Sequence, residues 1–302
     1  MIKAAIMGGS GCRAGELVRL IINHPDVNLL WAYSLSHAGA AISDIHRGLV
    51  GECDMTFTDK ADLDGVDVLF SCLPQGKLRE FLDGREISES LRVIDITGDF
   101  RHDGDDSGFT YGLPELNRKA LVRGATKAST PSPAVHAAAL GLLPLAKNLL
   151  LNSPIEITGV TASTDSSLGN NFVNEISDAM AALQASFNAP VTVDIKRGDF
   201  ARGTTVTIKT QTTMSTDSLR RLFEDFYDDH NFTFIVDRPV DILDVANTNK
   251  ALIHIEKNDD ELTISTVIDN IVKGSSGNAI HCMNLLFGLH ERTGLCLKAS
   301  AY

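Results

Sequence analysis

A glycine-rich turn near the start of the chain holds the residues best suited to bind a ligand. Gly8 and Gly11 follow a short apolar segment, Lys3–Met7, and precede a stretch with helical periodicity, Gly15–Asn23. In a strand–turn–helix unit, such glycines allow a tight turn and a close backbone approach to a pyrophosphate, which then lies at the helix N-terminus. The turn predicts a dinucleotide-binding site. The alternative is an ordinary glycine-rich connection between a strand and a helix.

The segment after the second predicted strand, Ser34 to His37, bears on which dinucleotide is bound. Sites specific for NAD usually carry Asp or Glu here, which binds the ribose hydroxyls. This segment reads Ser-Leu-Ser-His and has no carboxylate. It therefore favours NADP, with the two serines, His37 and Arg13 as candidate contacts of the extra phosphate. The alternative is that they are solvated loop residues.

The elements that would position these residues follow one another regularly along the first 130 residues. Stretches with helical periodicity separate continuous apolar runs, which are typical of strands buried on both faces of a parallel sheet. The runs are Lys3–Met7, Val27–Tyr33, Val66–Leu73 and Leu91–Thr97. This order predicts a Rossmann-type, doubly wound sheet.

The second half of the chain has a different pattern. A long apolar helix is predicted at Ala134–Leu151, with a kink at Gly141 or Pro144. Further strands are predicted at Ile155–Ser163, Val191–Ile195, Thr204–Gln211, Leu252–Glu256 and Leu262–Ile268, the last two as a hairpin, and further helices at Val173–Phe187 and Gly277–Leu289. We predict an α/β protein with a Rossmann domain (1–130), an α+β domain with a mixed or antiparallel sheet (131–275), and a C-terminal helix and tail (276–302) that return to the first domain.

Composition and charge argue against several classes of protein. The chain has 39 acidic and 27 basic residues, a net charge of −12, and no basic run that would serve a nucleic-acid binder. Polar residues and a proline interrupt the apolar run at 134–151, so no membrane span is expected. The cysteines are scattered and odd in number, which favours a reducing cytoplasm over a disulfide framework or a metal site. They are Cys12, Cys53, Cys72, Cys282 and Cys296.

Several segments together resemble the N-acetyl-γ-glutamyl-phosphate reductase family, the acyl-phosphate reductases of arginine biosynthesis. In chain order they are Gly8–Glu16, Ser34–Gly39, Leu73–Gly76, Ile94–Arg101, Tyr111–Arg118, Arg202–Gly203, Asn247–Lys250, Ile268–Gly274 and Met283–Leu289. The resemblance covers nearly the whole chain, and its blocks at 111–118 and 268–274 are highly specific.

This resemblance implies a reaction that depends on a cysteine. In the family, a cysteine thiolate attacks the acyl phosphate, phosphate leaves, and the thioester accepts a hydride from NADPH to give a semialdehyde. A histidine acts as acid and base on the tetrahedral species. The family also implies a small-molecule substrate and assembly into homodimers or tetramers.

The catalytic positions of the family are altered in this chain. Counting back from the matching segment Gly141–Pro144 places Pro133 where the family has its cysteine. The family's His-x-His-x-Pro-Glu-Ile segment matches best at Asn170–Ile176, which has neither histidine. The stretch from Thr161 to Asn170 is also shorter than the family's substrate loop. We therefore expect that the covalent route has been lost.

Two side chains near residue 133 are candidate replacements for the missing nucleophile. Ser132 adjoins the altered position and His136 lies one helical turn away, so a Ser–His pair is conceivable, although an oxyester accepts hydride less readily than a thioester. The alternative for His136 is a buried or capping residue of the helix. The cysteines are interpreted as small buried or incidental residues.

The resemblance assigns the remaining sites residue by residue. The cofactor positions are Gly8, Ser10, Gly11, Cys12, Arg13, Ser34, Ser36, Leu73, Pro74, Asn270, Lys273 and Gly274, and the substrate positions are Tyr111 and Arg202. Arg202 suits a carboxylate or phosphate, because a guanidinium binds such groups with two parallel hydrogen bonds; the alternative is a surface arginine. Leu35 stands where the family often has an arginine for the 2′-phosphate.

Three functions stay open on the sequence alone. The first is an active reductase whose chemistry is rerouted. The second is a catalytically silent paralogue that keeps the fold, binds cofactor or substrate, or assembles with an active reductase. The third is an oxidoreductase that transfers hydride directly to the carbonyl or imine of another substrate.

Overall fold

The chain divides into two units in the computed structural model, which describes residues 1–101, 107–165 and 171–299. One unit comprises residues 1–131 and 275–296, and the other comprises residues 132–274 and the described end of the chain from Leu297. The domain boundaries expected from the sequence, after residues 130 and 275, stay a prediction. The tail from Leu297 is grouped with the second unit, whereas the sequence predicts its return to the first.

The first unit is built on a six-stranded sheet in the order β2-β1-β3-β4-β6-β5. Its strands are β1 (Ile2–Met7), β2 (Val27–Tyr33), β3 (Val68–Ser71), β4 (Arg92–Asp95), β5 (Thr110–Tyr111) and β6 (Lys127–Ser129). Each pairing is parallel, which confirms the Rossmann-type sheet. The strand order reverses between β1 and β3, so their carboxyl ends form the switch point at which doubly wound folds bind ligands.

Among the described residues, five α-helices accompany this sheet: α1 (Cys12–Ile22), α2 (Ile42–Ile45), α3 (Lys77–Leu82), α4 (Pro114–Val122) and α8 (Gly277–Leu286). The last of these is buried along its whole length and packs on α1, α4 and β4. Asn278 in α8 donates a hydrogen bond of 2.7 Å from Nδ2 to the carbonyl oxygen of Gly112. The predicted return of the C-terminal helix to the first domain is confirmed.

The second unit has a mixed six-stranded sheet in the order β10-β11-β12-β9-β7-β8. Its strands are β7 (Ile155–Ala162), β8 (Val191–Gly198), β9 (Thr204–Gln211), β10 (Thr233–Val236), β11 (Ala251–Asn258) and β12 (Glu261–Ile268). The central pairings are antiparallel, whereas the edge strands β8 and β10 run parallel to their neighbours. The predicted hairpin joins β11 and β12 through Asp259, which adopts φ +50°.

The described part of this unit has three α-helices: α5 (Pro133–Lys147), α6 (Phe172–Ala181) and α7 (Thr216–Tyr227). Helix α5 packs on β9, β12 and α6 and is buried from Pro133 to Ala146. It continues through Pro144 and ends at Lys147, four residues earlier than expected. At Gly141 a Cβ would lie 2.6 Å from Cδ1 of Ile208, so this glycine allows the helix to lie close to the sheet. Within the described residues, no helix is both long and apolar enough to cross a bilayer.

Candidate cofactor site and the region around residue 133

The three glycines of the turn after β1 serve different purposes. Gly8 has φ +79°, and a Cβ on it would lie 2.7 Å from the backbone of Cys72. A Cβ on Gly9 would lie 3.0 Å from the ring of Phe57. At Gly11 the nearest neighbour of a Cβ would be the Gly8 carbonyl oxygen, 3.9 Å away. Gly8 and Gly9 therefore allow the turn to pack against Cys72 and Phe57, while Gly11 keeps a space open at the start of α1.

The start of α1 suits an anion. Gly11 is its N-cap residue, no side chain caps the helix, and its first turn has no acidic residue. Arg13 lies in that first turn and donates from Nη1 to the carbonyl oxygen of Ile96 at 3.2 Å. Ser10 and Cys12 flank the open space and are accessible to solvent. The structure thus brings these predicted cofactor residues together where helix N–H groups and a positive charge would face a pyrophosphate.

A polar cluster follows β2, at the predicted adenosine end of the site. The hydroxyl of Ser36 lies 2.8 Å from Nδ1 of His37, and the hydroxyl of Ser34 lies 3.4 Å from the same nitrogen. Leu35 is 74% exposed beside them. The cluster offers hydroxyl and imidazole groups to a phosphate, without the carboxylate that an NAD-specific site would place here.

His46 is a residue of this site that the sequence does not reveal. Its Nε2 donates to the carbonyl oxygen of Gly9 at 2.7 Å. At Gly15 a Cβ would lie 2.5 Å from Nδ1 of His46, so a glycine within α1 allows the imidazole to reach the turn. A helical glycine is a general signal of close packing, but nothing in the sequence identifies its partner.

Two buried or partly buried aspartates shape the loops beside the turn. Asp95, at the end of β4, is fully buried and accepts hydrogen bonds from the Thr97 backbone at 2.9 Å and the Ser129 hydroxyl at 2.7 Å. Asp99 accepts from the backbone of Gly76 at 2.6 Å and Leu78 at 3.0 Å. The second aspartate therefore fixes the loop after β3. The predicted cofactor residues Leu73 and Pro74 belong to that loop, with Pro74 exposed.

In the second unit, the predicted substrate residue Arg202 is paired with a buried carboxylate. Its Nη1 lies 3.2 Å from Oδ2 of Asp269, and the arginine side chain is 29% exposed. Asp269 also accepts from the backbone of Asn247 at 2.7 Å and from those of Ile271 and Val272 at 2.8 Å. The contact fixes where the guanidinium lies. Binding of a substrate anion by Arg202 stays a prediction.

The predicted nicotinamide-side residues make contacts within the second unit. Asn270 accepts from the backbone of Gly203 at 2.7 Å through Oδ1 and donates from Nδ2 to Thr164 at 3.2 Å. Lys273 is fully buried, with Nζ 5.7 Å from the ring centre of Phe232. These contacts give both residues positions in the core, and their part in cofactor binding stays a prediction.

The head of α5 contains the residues expected around the lost nucleophile. Ser132 is the N-cap residue and Pro133 is the first residue of the helix. A Cβ on the predicted cofactor residue Gly274 would lie 2.8 Å from Cβ of Pro133, so this glycine allows the two segments to pack closely. His136 is fully buried, and its backbone N–H donates to the Ser132 carbonyl at 2.8 Å.

Glu175 of α6 adds a carboxylate to this region that sequence reasoning missed. It accepts hydrogen bonds of 3.2 Å from both the backbone N–H and the hydroxyl of Ser132. Glu175 is 4% exposed and Ser132 is 5% exposed. A signal for it was present, since Glu175 and Ile176 match the Glu-Ile that ends the family's His-x-His-x-Pro-Glu-Ile segment. Asn170, the first residue of the matching segment Asn170–Ile176, lies outside the described residues. The other predicted substrate residue, Tyr111, belongs to the first unit.

The thiols are all remote in sequence from the head of α5, since no cysteine occurs between residues 132 and 274. Cys12 and Cys296 are exposed, and Cys53 and Cys282 are buried. Burial raises the pKa of the Cys72 thiol to about 12, so it stays protonated at neutral pH. In the described parts of the chain, no three His, Cys, Asp or Glu side chains are grouped to hold a metal ion.

Comparison with known protein families agrees with this two-part architecture. Residues 3–123 match the semialdehyde dehydrogenase NAD binding domain, and residues 171–270 match the semialdehyde dehydrogenase dimerisation domain. The protein is therefore of the semialdehyde dehydrogenase class.

Named relatives identify the family within this class. The chain is 43% identical to an N-acetyl-gamma-glutamyl-phosphate reductase of Phocaeicola vulgatus and 42% identical to one of Bacteroides fragilis, each alignment covering all of both chains. It belongs to the N-acetyl-gamma-glutamyl-phosphate reductase family, as its motifs predict. Both alignments run over 323 residues, against 302 in this chain, so the relatives contain residues that this chain lacks.

Solved structures share the fold at low sequence identity. Aspartate semialdehyde dehydrogenase with NADP from Candida albicans has a TM-score of 0.72 at 15% identity, covering 95% of this chain and 98% of that one. Aspartate semialdehyde dehydrogenase II complexed with ASA from Vibrio cholerae has a TM-score of 0.70 at 16% identity, with the same coverage. These likenesses support the fold alone.

Proposed function

We propose that the first unit binds NADP and that the chain does not perform the thioester-forming step of its family. Support for the cofactor comes from the open space at Gly11, the uncapped start of α1 with Arg13, and the polar cluster of Ser34, Ser36 and His37. When bound, NADP supplies hydride transfer. The turn would hold its pyrophosphate through backbone N–H groups, and the polar cluster would contact its 2′-phosphate.

The observation that carries the second part of the proposal is Pro133 at the first position of α5. Proline has neither a thiol nor a hydroxyl, so it cannot form a covalent bond with an acyl group. Because residues 132–274 include no cysteine, the second unit has no thiol that could take over this step.

The contacts of Ser132 argue against a serine nucleophile. Its hydroxyl donates to the carboxylate of Glu175 at 3.2 Å. A Ser–His pair would require that hydroxyl to donate to His136 so that the imidazole could take up the proton. The observed hydrogen bond therefore favours a structural role for Ser132, which links the start of α5 to α6.

For the substrate and the oligomeric state, the proposal follows the family. We infer a small-molecule substrate with the acyl-phosphate or semialdehyde chemistry that the relatives' names imply, and a homodimer or tetramer built through the dimerisation domain. The five free cysteines fit a protein that works in a reducing cytoplasm.

Titration with NADP and NAD, followed by a reductase assay, tests the proposal. We expect saturable NADP binding, with only a modest preference over NAD because Leu35 offers no charge to the 2′-phosphate. The assay is run in reverse, with phosphate and the semialdehyde, and we expect no reduction of NADP. A preference for NAD would contradict the cofactor assignment, and a normal reverse rate would contradict the loss of the covalent step.

A further inference from the structure

We propose that a cleft between the end of α5 and α7 is a second binding site, which takes a small monocarboxylate with an apolar body. The cleft has a volume of about 590 Å³ and lies within the second unit. Ligand pockets in proteins are commonly of this size. None of the cofactor or substrate positions assigned above lines it, so the proposal goes beyond the proposed function and does not depend on it.

The two walls of the cleft are fixed to each other. Pro144 has no backbone N–H, so the carbonyl oxygen of Leu140, four residues earlier in α5, loses its usual helical partner. The hydroxyl of Tyr227, the last residue of α7, donates a hydrogen bond to this oxygen, and Tyr227 is buried. The proline in α5 thus creates the acceptor that holds α7, and the cleft next to this contact is preformed.

One side of α7 lines the cleft. Arg221 and Asp225 are four residues apart, as are Leu222 and Phe226, so all four side chains lie along the same side of the helix. Leu222 and Phe226 are half-buried, whereas Arg221 and Asp225 are exposed. The ring of Phe226 packs against that of Tyr227, with 4.9 Å between the ring centres. This side of α7 therefore offers an apolar floor beside charged groups.

Two cations line the cleft. Lys147, in the last turn of α5, and Arg221 make no hydrogen bond or ion pair with any residue that the structure describes. The neighbouring Arg220, by contrast, is paired with Glu224 at 2.7 Å and with Asp237. In a chain with a net charge of −12, two unpaired cations in one cleft make a local positive region that attracts an anion.

The charges and the apolar floor together select the class of ligand. A carboxylate accepts charge-assisted hydrogen bonds from a guanidinium and an ammonium group, and an apolar body attached to it would cover Leu222 and Phe226. Asp225 also lines the cleft, so a second negative charge on the ligand is disfavoured. The cleft therefore suits a monocarboxylate better than a dicarboxylate.

The site is remote from the altered catalytic region. Helix α5 has 15 residues, with Pro133 first and Lys147 last, and rises 1.5 Å per residue, so its two ends are about 20 Å apart. A ligand at the end of α5 therefore does not compete with one at residue 133.

Benzoate is the probe for the test, because it joins one carboxylate directly to an apolar ring. Calorimetric titration of the full chain should show saturable binding with a Kd on the order of 1 mM, as a ligand of this size allows. Benzamide has nearly the same shape without the charge and should bind roughly tenfold more weakly or not at all. Phthalate, with two carboxylates, should also bind more weakly than benzoate. Failure of benzoate to bind, or equal binding of benzamide, would overturn the proposal.

Two neighbouring arginines give a matched pair of variants. Arg221→Gln should weaken benzoate binding about tenfold, because it removes a charged donor of the cleft. Arg220→Gln removes the same charge one position away, from a side chain that is already paired, and should leave the affinity unchanged. An equal loss in both variants would show a general effect of charge and would overturn the proposal.

Backbone amide NMR locates the bound probe, since other cations such as Arg13 also attract anions. Signals of Leu222 and Phe226 should shift with the same saturation as the calorimetric titration, and these shifts should vanish in a variant with both Lys147→Gln and Arg221→Gln. Both substituted residues are exposed, so we expect an unchanged melting temperature. Saturable shifts that occur only outside the cleft, or that persist in the folded double variant, would overturn the proposal.

Discussion

Nε2 of His46 lies 2.7 Å from the carbonyl oxygen of Gly9, so a side chain that follows the second strand holds the backbone of the cofactor turn. Gly15 makes the approach possible, because a Cβ there would lie 2.5 Å from the imidazole. The conformation of the turn thus depends on a contact across 37 positions of the sequence as well as on its own glycines.

Removing this contact should weaken cofactor binding. One net hydrogen bond is worth about 1 kcal/mol, so we expect His46→Ala to lower NADP affinity about fivefold. Gly15→Ala should have the same effect by displacing the imidazole, although alanine is otherwise the better helix former. Calorimetric titration measures both, with the exposed His290→Ala as control. Wild-type affinity in both variants would show that the turn holds its shape without His46.

The glycines of the turn should separate binding from folding. Gly11→Val should abolish dinucleotide binding and leave the melting temperature near that of the wild type, because its side chain would enter the open space where the pyrophosphate binds. Gly8→Ala should instead lower the melting temperature, since Gly8 has φ +79° and its Cβ would meet the backbone of Cys72. Unchanged NADP binding by Gly11→Val would remove the cofactor assignment from this turn.

Strands β1 to β4 and the turn are predictable because their signals are local, whereas the short strands β5 and β6 are missing from the prediction. The predicted strand Val27–Tyr33 has the same bounds as β2, and the glycines after β1 mark the turn directly. Helix α7 is missing from the sequence prediction although its apolar residues recur with helical spacing, at Leu219, Leu222, Phe223, Phe226 and Tyr227. The contacts made to Ser132 and Gly9 are hidden, since Glu175 and His46 reach them from distant parts of the chain.

His24 should make folding stability depend on pH near neutrality. It is buried, its Nε2 donates to Oδ1 of Asn284 at 3.1 Å, and its Nδ1 accepts from the Asp26 backbone at 3.2 Å. Burial lowers the pKa of His24 below the ordinary 6.5. The unfolded chain therefore takes up a proton below pH 6.5 that the folded state resists, and stability falls as the pH falls through that range. Urea unfolding from pH 8 to 5 should show a steeper loss for the wild type than for His24→Gln. Parallel curves would contradict this role.

Glu291 should contribute stability that is lost only in acid. Although burial acts to raise it, the hydrogen bond from His281 at 2.6 Å and the charges of His281 and Arg118 hold the pKa of Glu291 below 4.5. A lowered folded pKa stabilises the protein above pH 4.5, and the contribution disappears as the pH falls through the folded value. We expect Glu291→Gln to be less stable than the wild type at pH 7 and to approach it below pH 4. The same substitution at exposed Glu80 should have little effect at either pH.

The absence of a nucleophile should leave the chain without thioester-dependent reductase activity. Losing the nucleophile of a covalent mechanism removes several orders of magnitude of rate, because binding and oxyanion stabilisation alone supply only ~10³–10⁴-fold over water. Pro133→Cys alone should not restore normal turnover, since the matching segment has no histidine for proton transfer. Alkylation of Cys12→Ser gives an independent check, since a group added to exposed Cys12 of the native protein would itself block the cofactor turn. Iodoacetamide should leave any activity of this variant unchanged. If the variant instead reduced N-acetyl-γ-glutamyl phosphate rapidly with NADPH and iodoacetamide stopped it, another thiol of the first unit would have to be the nucleophile.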